Sequence, residues 1–392
     1  MPAKTVPGTP SWLRQTNDRT ALTLLLEHGV LTRNRIGELS GLSKPTASQI
    51  VARLEGAGII HAVGEVSGGR GPNAASYAVK GERLLGVAVD IDERAIRSTL
   101  VDATGAEHAV VETPIAAGGS RSATADIRDA IEHAREASGV TGGAIRFVSI
   151  GVEGSIDPRT DELSFIDSLP GWPRSGLRAT LERELGIGVH IDNNVNLAAI
   201  AERIEGAGAG LSSFALLWMG DGLGLAVDLA GSVHRGAAGG AGEIGYLPAP
   251  KVAASVDPAA ADLQDLLGGA TVVSLSGDLG IPGTDARTVA AHLPGHPRRG
   301  DLLAELAPRI ALGVVPVLAI LDPEVIVLGG PIGAAGGAEL ATLVSRAIER
   351  DRLWKPRITT TALSEDPVLR GAREVLLVEL RERLFSELES LQ

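Results

Sequence analysis

The chain has 392 residues, of which 44% are hydrophobic and only 3% aromatic, and carries a net charge of −12. That length suggests two or three domains with aliphatic cores, and no uncharged apolar run approaches the roughly 18 residues that cross a membrane. Cysteine is absent, which excludes disulfides and thiolate metal sites.

Residues 1–12, Pro- and Thr-rich without an apolar core, read as a disordered lead-in and not as a signal peptide, so the expected compartment is the cytoplasm. The charge is uneven. Residues 1–80 hold nine Lys/Arg against five Asp/Glu, a balance of +4, which leaves −16 for the rest. A basic module on an acidic body suits a DNA-binding head on a separate sensor.

The apolar spacing predicts three helices in residues 16–54. The first runs through Ala21-Leu22-Thr23-Leu24-Leu25-Leu26 to a stop at Gly29, and the second covers 33–40. After the tight turn Gly41-Leu42, Ser43 caps a third helix with Pro45 in its first turn. Ile50, Val51 and Leu54 face inward at helical spacing, Thr46 only in part. Lys44, Ala47, Ser48, Gln49 and Arg53 then turn partly or wholly outward. This is the pattern of a helix-turn-helix whose candidate DNA contacts are Lys44, Thr46, Ala47, Ser48, Gln49 and Arg53. Strands near 59–64 and 76–79, joined by a Gly-rich basic tip, add a β-wing from which Arg70 reaches toward a minor groove. The alternative is a winged helix that binds protein instead of DNA.

From about residue 83 the pattern turns to α/β. Continuous apolar runs predict strands at 85–90, 96–101, 147–152, 189–192, 214–218 and 222–228, with helices at 123–138, 177–185 and 196–203. A strand–strand–helix rhythm that restarts after Gly206-Ala207-Gly208-Ala209-Gly210 implies two related lobes around a cleft. None of the eight histidines shows metal-ligand spacing, and no Ser/His/Asp order suggests a hydrolase triad.

Several ordered motifs carry a resemblance. Ser168-Leu169-Pro170-Gly171-Trp172, Asp192-Asn193-Asn194-Val195-Asn196, Gly231-Ser232-Val233-His234-Arg235-Gly236, Gly239-Gly240-Ala241-Gly242-Glu243-Ile244-Gly245-Tyr246 and Asp322-Pro323-Glu324-Val325-Ile326-Val327-Leu328-Gly329-Gly330 occur in the order of the ROK family of repressors, open reading frames and sugar kinases. The chain resembles its repressor branch, the sugar-responsive xylose-repressor type. The resemblance implies an α/β, actin-like and hexokinase-like two-lobed fold behind the winged head. It places the head at 13–82, the first lobe at 83–197 with a C-terminal helix at 366–392 packing back on it, and the second lobe at 198–365. Dimers or tetramers are the implied assembly, and a pseudo-palindromic operator the implied partner.

The departures from the family pattern concern chemistry. The resemblance puts a catalytic Asp where Asn194 stands. An amide lacks a lone pair basic enough to take a hydroxyl proton, yet it can still hydrogen-bond a sugar. The first phosphate turn reads Asp90-Ile91-Asp92-Glu93-Arg94-Ala95, with acids where the family has glycines, and the second reads Gly220-Asp221-Gly222. Three parts of the phosphoryl-transfer apparatus are thus altered, and no catalytic residue or cofactor is expected. By resemblance, Asn193, Asn194, Glu243, Tyr246 and Gln264 are the candidate sugar contacts, with Asp265 the alternative to Gln264 and a helix cap the alternative role for Glu243. Ser168 stands for a customary Asn. Tyr246 replaces the family's zinc-binding His, and 247–263 holds no Cys or His, so no structural zinc is expected. The expected function is a sequence-specific, sugar-modulated DNA-binding regulator. A sugar kinase with an accessory head, or a regulator with a vestigial pocket, are the alternatives.

Overall fold

The computed structural model describes residues 8–66, 74–115, 121–164, 169, 171–349, 354–363 and 365–390. Arg70 and Ser168, both singled out above, lie outside them. The first helix starts inside the segment read as lead-in, because Thr9 caps it and Pro10 supplies a ready helical φ at its first turn: it spans Pro10–His28 and stops at Gly29, whose φ is +75°. The second spans Arg33–Ser40 with Gly41 left-handed, and the third Lys44–Gly56 with the Ser43 hydroxyl accepting from the Thr46 amide. Wing strands Ile60–Val66 and Ala74–Val79 pair antiparallel, and a two-residue strand Leu31–Thr32 joins their edge. That short strand escapes a periodicity reading.

The two lobes share one topology. In the first, strands Leu84–Ile91, Ala95–Asp102 and Val110–Pro114 pair antiparallel in sequence, and Ala144–Val152 and then Gly188–Asn193 add in parallel on the other side of the first strand. In the second, Ser213–Met219, Leu223–Leu229 and Ser232–Val233 repeat the antiparallel run, and Ile326–Gly329 and Ile358–Thr360 repeat the parallel one. Each sheet therefore reads 3-2-1-4-5 in its own strand order. The edge strands Val110–Pro114, Ser232–Val233 and Ile358–Thr360, of two to five residues, are too short or too polar to show in the sequence pattern.

Helix Asn194–Glu205 packs against strands of both sheets, so the lobe boundary expected between 197 and 198 falls inside a rigid element. Helix Arg299–Leu321 is long and apolar enough by composition to cross a membrane, but it is a core helix: Leu302, Leu303, Leu306, Ile310, Val314 and Leu318 are buried in the second lobe.

The last helix, Pro367–Ser390, lies against Asn194–Glu205 and against the first-lobe sheet. Its final turns grip the head. Arg19 stacks on the Phe385 ring at 4.2 Å and pairs with Glu389 at 3.6 Å. Arg83 binds Glu387 at 2.9 Å while its guanidinium also donates to the Ala57 carbonyl. Head and body consequently share one apolar cluster, from Leu22 and Leu54 to Leu376 and Leu384.

Candidate effector cleft and nucleic-acid interface

The head presents the third helix to solvent along Lys44, Pro45, Ser48, Gln49 and Ala52, all exposed, while Thr46 is half-buried and bonds the Ser43 hydroxyl at 2.8 Å. Two expected contacts are corrected. Ala47 is fully buried, because it fills the helix-turn-helix angle: a Cβ on Gly37 would sit 3.5 Å from the Ala47 methyl, so only small residues let the two helices meet. Arg53 turns back onto the first helix, where Nε donates to Asp18 at 3.1 Å and Nη2 bonds the other carboxylate oxygen. Helical spacing places a residue on a side of the helix but does not reveal the buried Asp18 on another element that captures it.

In the body, Asp192 is buried next to the end of strand Gly188–Asn193. It accepts from Arg235 at 2.9 and 2.6 Å and from the Asn196 amide at 3.1 Å. Asn193 caps the following helix, accepting from the Val195 and Asn196 amides, and its Nδ2 donates to the Gly154 carbonyl at 2.7 Å. Most of its hydrogen-bonding capacity is thus spent on positioning. Asn194 follows at the first helical position, and its Oδ1 accepts from the Val195 amide at 2.8 Å.

Asn193, Asn194, Glu243, Tyr246 and Gln264 all line one cavity of about 440 Å³. Gln264 is clamped there, with Oε1 accepting from the Leu223 amide and Nε2 donating to the Asp221 carbonyl, each at 2.9 Å. Asp265 is not on this wall; its carboxylate accepts from the Ala261 amide instead. Glu153, Asp262 and Trp218 also line the cavity. Periodicity gave no sign of their role, since Glu153 and Asp262 flank elements, Trp218 sits within strand Ser213–Met219, and only the tertiary fold brings them together.

Glu243 precedes a short 3-10 turn, Ile244–Tyr246, but its side chain makes no capping bond, so the capping role is set aside. Burial alone pushes its carboxyl above the ordinary range. A raised folded value contributes stability below the unfolded value of about 4.5, and that stability is lost as pH rises through the folded value. Glu243→Gln is therefore expected to melt higher than wild type at pH 7, with the gap closing on acidification in thermal scans at pH 7 and pH 5. Equal melting temperatures at pH 7 would remove the burial argument.

The two turns at the cleft mouth are filled by ion pairs. Asp92 accepts from the Arg94 and Ala95 amides at 2.8 and 2.9 Å, closing a tight turn that leaves no open amide cradle. Burial works to raise the Asp92 carboxyl, but those amides and the guanidinium groups of Arg97 and Arg287 outweigh it and hold it below the ordinary range. Arg97 is itself buried, bonded to Asp90 at 2.9 Å and Asp92 at 2.8 Å. Three further pairs cross between the lobes. Arg94 meets Asp285 at 2.6 Å and Asp221 at 3.8 Å, and Arg287 meets Asp92 at 3.2 Å. Leu247 to Leu263 closes on itself through Ala249–Ala261 and Leu263–Leu247 backbone bonds around the buried Ala253.

Residues 86–377 match the ROK family, and residues 14–61 match a winged helix-turn-helix DNA-binding family. The chain belongs to the ROK family. Among curated relatives, the xylose repressor of Caldicellulosiruptor bescii is 26% identical over 242 residues, covering 61% of this chain and 60% of the repressor. The alignments with this and another leading relative span only about three-fifths of those proteins' length. Of solved structures, a ROK family transcriptional regulator described as a homologue of the E. coli MLC protein aligns with TM-score 0.66 over 97% of this chain and 98% of its own, at 16% identity. The ROK hexokinase of Thermus thermophilus aligns with TM-score 0.57 over 76% of this chain and 99% of its own, at 25% identity. The fold is thus a winged helix-turn-helix followed by the hexokinase-like ROK body, and the regulator structure matches both parts.

Proposed function

We propose that this ROK protein is a transcriptional repressor that binds operator DNA through Lys44, Ser48 and Gln49 and senses a sugar in the cleft lined by Asn194 and Glu243, with no phosphoryl transfer. The observation that carries the reading is the set of ion pairs at the cleft mouth. Arginine–aspartate pairs occupy the turns where a kinase needs open amides for phosphate, and Asn194 stands where a base is needed. A homodimer or homotetramer on a pseudo-palindromic operator, working in the cytoplasm where the DNA is, completes the proposal. The MLC-homologue regulator and the xylose repressors support it by name, and the head supplies an exposed recognition helix.

Anisotropy titrations against the chain's own upstream region are the test. Affinity is expected to fall steeply with salt. Lys44→Ala should flatten the log–log slope by about one unit. The double variant Ser48→Ala with Gln49→Ala should lose about tenfold or more in operator affinity at an unchanged slope, since it removes base contacts and no charge. Equal affinity for unrelated DNA would overturn the repressor reading, and hexose-dependent ADP release that Asn194→Ala abolishes would restore the kinase.

A further inference from the structure

Behind the sugar cavity lies a second chamber of about 370 Å³. Each of the two is within the rough 300–1,000 Å³ range of small-molecule sites. They adjoin: Glu93, Glu153, Asn194, Trp218 and Asp221 line both. In a kinase of this fold such a chamber would take a nucleotide, but here Glu93 and Asp221 stand where it joins the sugar cavity, and the lining Arg94, Arg97 and Arg287 are already paired with Asp285, Asp90 and Asp92.

The inner wall has a different character. Leu216, Pro331, Ala334, Leu363, Pro367 and Val368 give it an apolar lining. Two of the ionisable groups there are committed to the protein, Arg97 to Asp90 and Asp92, and Glu202 to the Thr361 hydroxyl and the Ala207 amide, while Glu365 and Asp366 lie at its edge. Apolar surface is therefore the larger share of what the chamber offers a ligand.

Trp218 stands at the junction, and its strand partners are glycines on both sides, Gly224 on one neighbour and Gly329 on the other. Directly paired residues project on the same face of a sheet, so no cross-strand side chain covers the indole. Trp218 is partly buried against the apolar core, and what remains of its surface lines both cavities. The part of an indole that faces a cavity suits a flat ring or the C–H face of a sugar.

We propose that the effector is a neutral glycoside, whose sugar ring sits beside Asn194 and Glu243 and whose uncharged ring aglycone lies on Trp218 and fills the apolar chamber. The inference rests on the sugar-sensing reading and names its ligand class.

Calorimetric titration of the full chain with methyl and phenyl glycosides of D-glucose, D-galactose, D-mannose and D-xylose, both anomers of each, tests it. For the sugar that binds, the phenyl glycoside should be about tenfold tighter or more than the methyl one, the effect of burying a ring's apolar surface. Ala334→Phe, which fills the chamber from a position open to it, should bring that ratio to about one. Ala334→Ser, which leaves the space, should preserve it, and its folding guards against a merely disrupted protein. A methyl glycoside that binds as tightly as the phenyl one overturns the chamber assignment and leaves the sugar reading standing. A phenyl advantage that survives Ala334→Phe likewise overturns it. Absence of heat with every methyl and phenyl glycoside removes the sugar reading, and this inference with it.

Discussion

Arg53→Ala is expected to cost the protein about 3 kcal/mol of folding stability, the lower end for breaking a buried ion pair. The asymmetry of the pair sets the direction. Asp18 is 0% exposed, whereas the Arg53 side chain keeps 35% of its surface in water. Removing the guanidinium takes its principal cation from a fully buried carboxylate. Asp18→Ala, by contrast, leaves an arginine that can swing into solvent, so it should cost less. Urea unfolding of the two variants gives the comparison. The operator salt slope supplies the decisive contrast: a structural Arg53 leaves it unchanged, while a phosphate contact would flatten it by about one unit. A variant that melts like wild type with a flattened slope would return Arg53 to the DNA interface.

Gly371→Ala should be at least as damaging, although Ala is the better helix former by about 1 kcal/mol. Gly371 lies inside Pro367–Ser390, where that helix crosses Asn194–Glu205. A Cβ there would stand 1.8 Å from the Leu197 carbonyl oxygen and 2.4 Å from its carbon. The obstacle is backbone, so no rotamer change relieves it and the helices must part, which costs about 3 kcal/mol or more for overpacking of this severity. The displaced helix begins with Asn194, so glycoside affinity should fall along with the melting temperature. Gly277→Ala is the control: it is also helical, and its added Cβ meets nothing within 4 Å. It should be neutral or slightly stabilising. A Gly371→Ala protein as stable as the Gly277→Ala one would mean the crossing relaxes easily.

The sequence made the long elements plain and the side-chain partnerships obscure. Helices Arg33–Ser40, Ala123–Ser138 and Leu177–Leu185 fall where spacing, caps and glycine stops put them, because those signals are local. Strands Leu31–Thr32 and Val110–Pro114 were missed because a sheet neighbour, not their own pattern, makes them strands. The same limit explains the site. The motif order brought Asn194, Glu243 and Gln264 to one cavity, but Gln264's clamp on Leu223 and Asp221 depends on two other chain segments. The exposure of Trp218 likewise depends on which residues flank it across strands 223–229 and 326–329.

The ion pairs that bridge the cleft mouth also bear on timing. Arg94 and Arg287 are about half in water, with exposures of 51% and 58%, while Asp285 keeps only 4% and Asp92 23%, so the Arg287–Asp92 pair is the weaker and more ion-sensitive of the two. Such pairs act less as a weld than as a latch that releases and re-forms. On the proposed reading, an effector that enters past these pairs associates more slowly by the fraction of time they are closed. Dissolved salt lengthens the open moments, hastening entry and exit together. The cleft can therefore exchange its ligand faster in the same conditions that loosen the head from DNA.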